Sequence, residues 1–152
     1  MGLDMFLNKR THIYNDELQN KIKIEGLPPE IKINPKKIKS ITEEMMYWRK
    51  ANSIHQWFVK HAQHGEDSND GSEHHVSRSQ LQELLTTINE VLEDRCLARR
   101  LLPTQPGFFF GETDYDEYYF ENLKETQKML VEALKEPEPE GVSIDYIYES
   151  SW

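Results

Sequence analysis

Segments in which apolar and polar residues alternate lie at both ends of the chain, and they constrain its fold more than any other feature. Residues 4–10 (DMFLNKR) and 142–148 (VSIDYIY) show the period of two that is typical of half-buried strands. Residues 21–25 (KIKIE) and 31–34 (IKIN) alternate in the same way and are predicted to be further strands. Terminal strands in one compact domain are expected to share a sheet.

Helical signals fill the middle of the chain. Ser40-x-x-Glu43 and Ser77-x-x-Gln80 both have the spacing of a capping box, which opens a helix. Residues 65–75 between the first two helices are polar and rich in Gly, Asp, Ser and Asn, which predicts a flexible loop. The third helix is expected to be capped by Thr113 or Asp114. The predicted helices span about 42–64, 77–100 and 113–135.

Length and composition place the chain in a broad class. Its 152 residues predict a single domain, 1–152, with an α+β fold in which a small, mostly antiparallel sheet packs with three helices. One cysteine, Cys96, and the lack of a secretion signal or apolar span predict a cytoplasmic protein with no membrane association. A net charge of −9 argues against direct duplex DNA binding.

The aromatic and polar residues in 47–58 (YWRKANSIHQWF) predict a recognition surface or a pocket wall. On the predicted helix, Trp48 flanks an apolar stripe, Asn52 lies at its edge and His55 falls inside it. His55 is therefore either a core histidine bonded to a neighbour or a polar group that projects into a pocket. In the second case these three side chains would orient a ligand.

The opposite side of this predicted helix carries Met46, Lys50 and Trp57. A tryptophan in that position is either an anchor for a homo-oligomer or covered by the sheet, and tryptophan is enriched at interfaces. Met46, Lys50 and Trp57 are therefore the predicted interface residues.

Two arginines, Arg95 and Arg99, continue the buried stripe of the second predicted helix. Either they complement the negative end of the helix and lay their stems on the core, or they grip an anion with planar donors. Tyr115 and Asp116 begin the face of the third helix. Asp116 is either stabilised by the helix dipole or paired with one of these arginines or with His55.

Three consecutive phenylalanines between glycines (GFFFG, residues 107–111) are costly to expose. In an extended segment they cannot all point the same way, so at least one is expected to reach the core and another to border a cleft. Phe109, together with Tyr115, is the candidate to stack on a base or an aromatic ligand. The alternative is a hydrophobic plug under a loop.

Several motifs carry a resemblance to a known family. They are MGLDM at 1–5, YWRKAN at 47–52 followed by Ile54-His55 and Trp57-Phe58, LPT at 102–104, GFFFG at 107–111, YDE at 115–117 and SSW at 150–152. On these motifs the chain resembles a family of small uncharacterised proteins that bacteriophages encode and that also occur in bacterial genomes. The resemblance implies a phage-type intracellular protein and no particular activity.

Enzyme signatures are mostly missing from the sequence. It contains neither a glycine-rich phosphate loop nor a Gly-x-Ser-x-Gly elbow. The histidines and carboxylates of 61–75 lack the fixed spacing of a zinc site. No catalytic residue, metal or cofactor is therefore predicted.

Three functions remain open at this point. The first is a binding protein that sequesters a small anionic or nucleotide-derived ligand to counter a host defence, with Arg95 and Arg99 neutralising the ligand. The second is an acidic protein-interaction or nucleic-acid-mimic protein that inhibits a host factor through residues 112–121. The third is a hydrolase that uses His55 and Asp116 as an acid–base pair.

Overall fold

Strands from the two ends of the chain lie side by side, as the alternating segments predict. The structure, a computed structural model, describes residues 2–152. Strand β1 (Asp4–Ile13) pairs antiparallel with β4 (Val142–Ser151), from Asp4 opposite Ser151 to Ile13 opposite Val142. Both strands are longer than the predicted segments, and the shared sheet is confirmed.

Two more strands complete an antiparallel sheet with the order β2-β1-β4-β3. Strand β2 (Ser40–Arg49) pairs with the other side of β1, with a register shift between Leu7 and Asn8. Strand β3 (His74–Val76) pairs with β4. The α+β class with a small antiparallel sheet is confirmed, and β2 forms one edge of that sheet.

The predicted helix 42–64 is wrong in its first third. Ser40 does not cap a helix but begins β2, and the helix α2 spans only Asn52–Ala62. Pairing with β1 supplies a partner for each residue of β2 except Met45, which lies at the register shift, and Ile, Thr, Tyr and Trp suit a pleated surface. Neighbouring side chains therefore point to opposite faces: Trp48 is buried and Tyr47 is exposed.

The predicted strands 21–25 and 31–34 are also wrong. Within residues 2–152 neither segment belongs to a strand, although both alternate. A short helix α1 (Asp16–Asn20), capped by Asn15, and a 3-10 turn (Pro35–Lys37) are the regular elements between β1 and β2. Because β2 and β4 occupy the two sides of β1, neither segment can pair with β1.

The two remaining predicted helices are present with different bounds, and residues 2–152 contain five α-helices where three were predicted. Helix α3 (Arg78–Glu93) begins with the predicted capping box of Ser77 and Gln80. The second predicted helix breaks at Asp94, which caps a 3-10 turn (Arg95–Leu97) that leads into α4 (Ala98–Leu101). Helix α5 (Glu117–Lys135) is capped by Asp116, and not by Thr113 or Asp114.

The core lies between one face of the sheet and the helices. Phe58 of α2 stacks on Tyr148 of β4, with ring centroids 4.1 Å apart. The indole of Trp48 on β2 donates a hydrogen bond of 2.8 Å to Thr126 on α5. No helix in residues 2–152 is long and apolar enough to span a membrane.

Candidate functional site

A pocket of about 330 Å³ opens at the N-terminal end of α2. Segments that are far apart in the sequence form its walls: the end of β2 and the start of α2, the loop before α5, and the first turns of α5. The lining residues are Arg49, Lys50, Ala51, Asn52, Ser53, Thr104, Gly111, Glu112, Asp114, Asp116, Tyr118, Tyr119 and Asn122.

Asn52, a predicted ligand residue, holds one wall of this pocket in place. Its Nδ2 donates hydrogen bonds of 2.9 Å to the carbonyls of Phe110 and Glu112, and its Oδ1 accepts the N–H of Gln105 at 2.9 Å. The side chain is only 4% exposed. Its amide therefore bonds the loop to α2 through both the nitrogen and the oxygen. The main role of this side chain is to position the loop.

Positive charge gathers on one side of the pocket. Arg49 and Lys50 both line it, and Lys50 adopts a left-handed backbone with φ 55°. This conformation turns the chain between β2 and α2, and the Lys50 N–H donates to the carbonyl of Leu3 at 2.8 Å. Within residues 2–152 no side chain caps the first turn of α2, where Ala51 is the N-cap. Unbonded N–H groups and the helix dipole add to the two cations there.

Carboxylates and hydroxyls form the opposite side. Glu112, Asp114 and Asp116 line it, and the Oδ1 of Asp116 accepts the N–H of Tyr119 at 3.0 Å as the cap of α5. The Tyr118 hydroxyl, also in the lining, donates to the carbonyl of Arg49 and so joins the two sides. One end of the pocket therefore presents Lys50 together with Arg49, whose Nη1 pairs with Asp4 at 3.0 Å, and the other end presents acceptors.

His55 lies outside this pocket, sealed in the core. It has no exposed surface, its Nδ1 lies 2.7 Å from the Tyr148 hydroxyl and its Nε2 lies 3.1 Å from both carboxylate oxygens of Asp67. A carboxylate can only accept, so Nε2 carries the proton and Nδ1 accepts the tyrosine O–H. His55 is thus the core histidine of the two alternatives.

The acid–base pair of His55 with Asp116 is not assembled. Both ring nitrogens of His55 are bonded to Tyr148 and Asp67, and Asp116 caps α5 instead. Phe110 and Trp152 pack edge-on against the imidazole, with centroids 5.2 and 5.4 Å away. This arrangement stabilises the fold, and it offers a substrate no access to the ring.

The two arginines also lie apart from the pocket, on the outer surface. Arg95 pairs with Glu117 at 2.8 Å and places its guanidinium 4.1 Å above the Phe120 ring. Arg99 lies 5.3 Å above the Tyr115 ring. The structure therefore agrees with the alternative in which these arginines cover apolar surface, because their guanidinium groups lie over aromatic rings.

The predicted aromatic site residues are dispersed. Trp48 is 2% exposed and belongs to the core. Phe109 is half-buried and its carbonyl accepts the N–H of Leu3, while its neighbour Phe110 is the phenylalanine that reaches the core. The Tyr115 hydroxyl accepts the N–H of Thr104 at 3.1 Å. Tyr115 does not line the pocket itself, but it positions Thr104, which does.

The predicted interface residues divide in the same way. Trp57 is 6% exposed and stacks on His61 of the same helix with centroids 4.3 Å apart, so it has little area left for a partner. Met46 is half-buried in β2. Lys50 lines the pocket and does not share a face with Trp57.

The polar loop between α2 and β3 is bonded to the rest of the protein at three places. Asp67 pairs with His55, the side chain of Asn69 bonds the backbone of Trp152, and Glu73 forms a bidentate pair with Arg10. Among residues 2–152 no three His, Cys, Asp or Glu side chains are grouped to hold a metal ion.

Several residues of the pocket and of the surroundings of His55 are not predicted from the sequence. Arg49 and Thr104 stand in the motifs of the resemblance but carried no signal of a pocket, because their meeting depends on the turn at Lys50. Asp67 lies in a polar loop that contains several carboxylates, and no sequence pattern distinguishes it from the others. Only its long-range contact with His55 distinguishes it.

The burial of His55 predicts a pH-dependent stability. Burial lowers the pKa of His55 below its ordinary value of 6.5, against the opposing attraction of Asp67. Between pH 6.5 and the lower folded pKa, the unfolded chain therefore binds more protons than the folded protein. The stabilisation that neutral His55 provides is complete above pH 6.5 and is lost as the pH falls through the folded pKa. We expect His55→Gln to lower stability at pH 7.5 but to flatten its decline towards pH 5.5, by up to about 1.4 kcal/mol per pH unit.

Urea denaturation of the wild type and variant at four pH values measures this slope. Burial lowers the pKa of His61 as well, so His61→Gln is the matched control for the contribution of a second histidine. Equal slopes for the wild type and His55→Gln would contradict the expectation.

Comparisons with known proteins identify no related protein. No family model matches the chain, and neither a curated protein nor a solved structure matches it significantly. The pocket at the start of α2 is therefore the observation from which a function has to be argued.

Proposed function

We propose that the pocket at the N-terminal end of α2 binds a small polar ligand with an anionic group, such as a nucleotide-derived molecule. The observation that supports this most directly is the position of Lys50, which has no ion-pair partner within residues 2–152, beside Arg49 and a helix N-terminus that lacks a side-chain cap in the same residues. Helix N-termini and guanidinium groups both favour phosphates and carboxylates.

The acidic wall restricts the ligand further. Glu112, Asp114 and Asp116 would repel a ligand that is anionic throughout, but they accept hydrogen bonds from hydroxyl or amino groups. A volume of about 330 Å³ suits a small ligand. A molecule with an anionic group at one end and hydroxyl or amino donors at the other therefore fits better than a bare anion.

Four of the six motifs of the resemblance contribute residues to this pocket, whereas residues 2–5 and 150–152 of the other two do not. Residues from 47–52, 102–104, 107–111 and 115–117 all contribute to its lining, although these segments are widely separated in the sequence. This convergence supports a shared pocket. Sequestration of a nucleotide-derived signal to counter a host defence, in the host cytoplasm, is the role that a phage origin would give to such a protein.

Calorimetric titration with a panel of nucleotides tests the proposal. The panel contains nucleoside monophosphates, cyclic mononucleotides, cyclic dinucleotides and the matching nucleosides without phosphate. We expect at least one phosphate compound to bind, its nucleoside to bind far more weakly, and Lys50→Met or Arg49→Met to weaken binding at least tenfold, about 1.4 kcal/mol. Lys60→Met, which removes an exposed lysine from the other end of α2, is the matched control.

Two results would overturn this proposal. One is a wild-type protein that binds nothing in the panel at millimolar concentration. The other is a compound that binds Lys50→Met and Arg49→Met as tightly as Lys60→Met, because the ligand would then lie elsewhere.

A second candidate is the protein-interaction or nucleic-acid-mimic role. The Phe108 ring is 95% exposed and Tyr118 is 52% exposed, beside the acidic residues of 112–121. Exposed aromatics within an acidic surface are suited to docking on a basic host protein. This role depends on Phe108, and the ligand role depends on Lys50, so variants at these two positions separate the candidates.

A further inference from the structure

The connection between β1 and β2 contains an exposed segment that differs in charge from the rest of the chain. Residues 21–39, here called the basic arm, contain six lysines and two glutamates, whereas the whole chain has a net charge of −9. Leu27, Ile31 and Ile33 on this arm are 41%, 48% and 50% exposed. Apolar side chains at this level of exposure, set between lysines, mark a surface that is suited to an acidic partner.

A groove with the opposite character lies between β2 and α5. It has a volume of about 430 Å³, and Met45, Met129 and Ala133 supply its apolar floor. Five glutamates line it: Glu43, Glu44, Glu125, Glu132 and Glu136. Lys9 pairs with Glu43 and Glu136. Lys128 also lines the groove, so five glutamates lie with two lysines and the groove keeps an acidic excess.

The backbone beside this groove is an open sheet edge. In the order β2-β1-β4-β3, β2 has a strand on one side only. Such an edge presents N–H and C=O groups that an extended segment can pair with. The sequence IKIN at 31–34 has the alternation of a strand but lies outside the sheet in residues 2–152.

We infer that this protein forms a homodimer in which the basic arm of each copy occupies the acidic groove of the other. Residues 31–34 of one copy would add to the free edge of the partner's β2. Ile31 and Ile33 would then face the apolar floor, while Lys32 would lie on the opposite face of the strand. Glu44 also lines the groove, but its register opposite Asn8 places it on that face of β2, whereas Glu43 is opposite Lys9.

The position of the arm makes a reciprocal exchange feasible. It ends at Lys39, and Ser40 begins the strand whose residues 43–45 line the groove, about 10 Å further along at 3.3 Å per residue. Arm and groove thus lie at the same end of the molecule. A two-fold axis near this end would bring each arm onto the other groove, with both contacts made at once.

Sedimentation equilibrium of the full chain at 5–100 μM, a range of about twentyfold, tests this arrangement. We expect a dimer at 50 mM salt that weakens at 500 mM, because charge attraction is screened. The double variant Ile31→Ser with Ile33→Ser is expected to raise the dimer Kd at least tenfold. Both side chains are half exposed in an irregular segment, so the monomer fold is expected to persist. Tyr14→Ser, which removes a 72% exposed aromatic outside the arm, is the matched control.

A charge exchange tests the pairing itself. Glu44→Lys and Lys32→Glu are each expected to raise the dimer Kd about tenfold, and the combined variant is expected to restore most of the loss. A monomeric wild type at 100 μM and 50 mM salt would overturn the inference. So would a dimer that is indifferent to the isoleucine variant, because its interface would lie elsewhere. Binding of the monomer to anionic vesicles through the arm would identify a lipid surface as the partner and would also overturn it.

Discussion

Replacing Asn52 by aspartate is expected to lower the free energy of unfolding by about 3 kcal/mol or more. The amide nitrogen serves the carbonyls of Phe110 and Glu112, and a carboxylate cannot donate to either. The substitution therefore leaves two carbonyls without donors and places a negative charge against them at a position that is 4% exposed. An unsatisfied buried group costs about 1–3 kcal/mol, and more when a charge is involved.

Urea denaturation at pH 7.5 measures the loss, and hydrogen exchange at Gln105 shows whether the loop opens. Asn89→Ala is the matched control, because Asn89 makes one exposed side-chain bond, with Gln127, and its loss is expected to cost about 1 kcal/mol or less. If Asn52→Asp is as stable as Asn89→Ala, the amide does not hold the pocket wall.

The periodic parts of the fold were predictable because their signals are local. Alternation at both chain ends predicts β1 and β4, and the Ser77 capping box predicts the start of α3. The same capping spacing at Ser40 was misleading, because a four-residue motif also occurs in strands. What decides the structure there is pairing of β2 with β1, a long-range contact across a connection of 26 residues.

The site was predicted only in part, and the reason lies in one backbone conformation. The predicted ligand residues Asn52 and Asp116 line the pocket, whereas the predicted cations Arg95 and Arg99 do not. Arg49 and Lys50 are the cations in its lining. A continuous helix through 42–64 would place Lys50 on the face of Trp57. The left-handed turn at Lys50 breaks that continuity. Lysine gives no sequence signal for this conformation, which glycine and asparagine usually adopt.

Removal of two neighbouring aromatic side chains of β2 is expected to lower the free energy of unfolding by very different amounts. Trp48→Ala should destabilise the protein by about 3–5 kcal/mol, because it creates a large cavity in the core. The indole is 2% exposed, packs against Phe58 with centroids 6.0 Å apart and donates to Thr126. Tyr47→Ala is the matched control, because Tyr47 is 43% exposed on the opposite face of the strand, and its loss is expected to cost about 1 kcal/mol or less.

Denaturation of both variants distinguishes a core role of Trp48 from the ligand role that its motif suggests. A core role requires a large loss of stability for Trp48→Ala, and it requires Trp48→Phe to lose only part of that amount, including about 1 kcal/mol for the bond to Thr126. A double-mutant cycle of Trp48→Phe with Thr126→Val isolates that bond. Similar losses for Trp48→Ala and Tyr47→Ala would contradict the alternation along β2, because successive side chains of a strand point to opposite faces of the sheet.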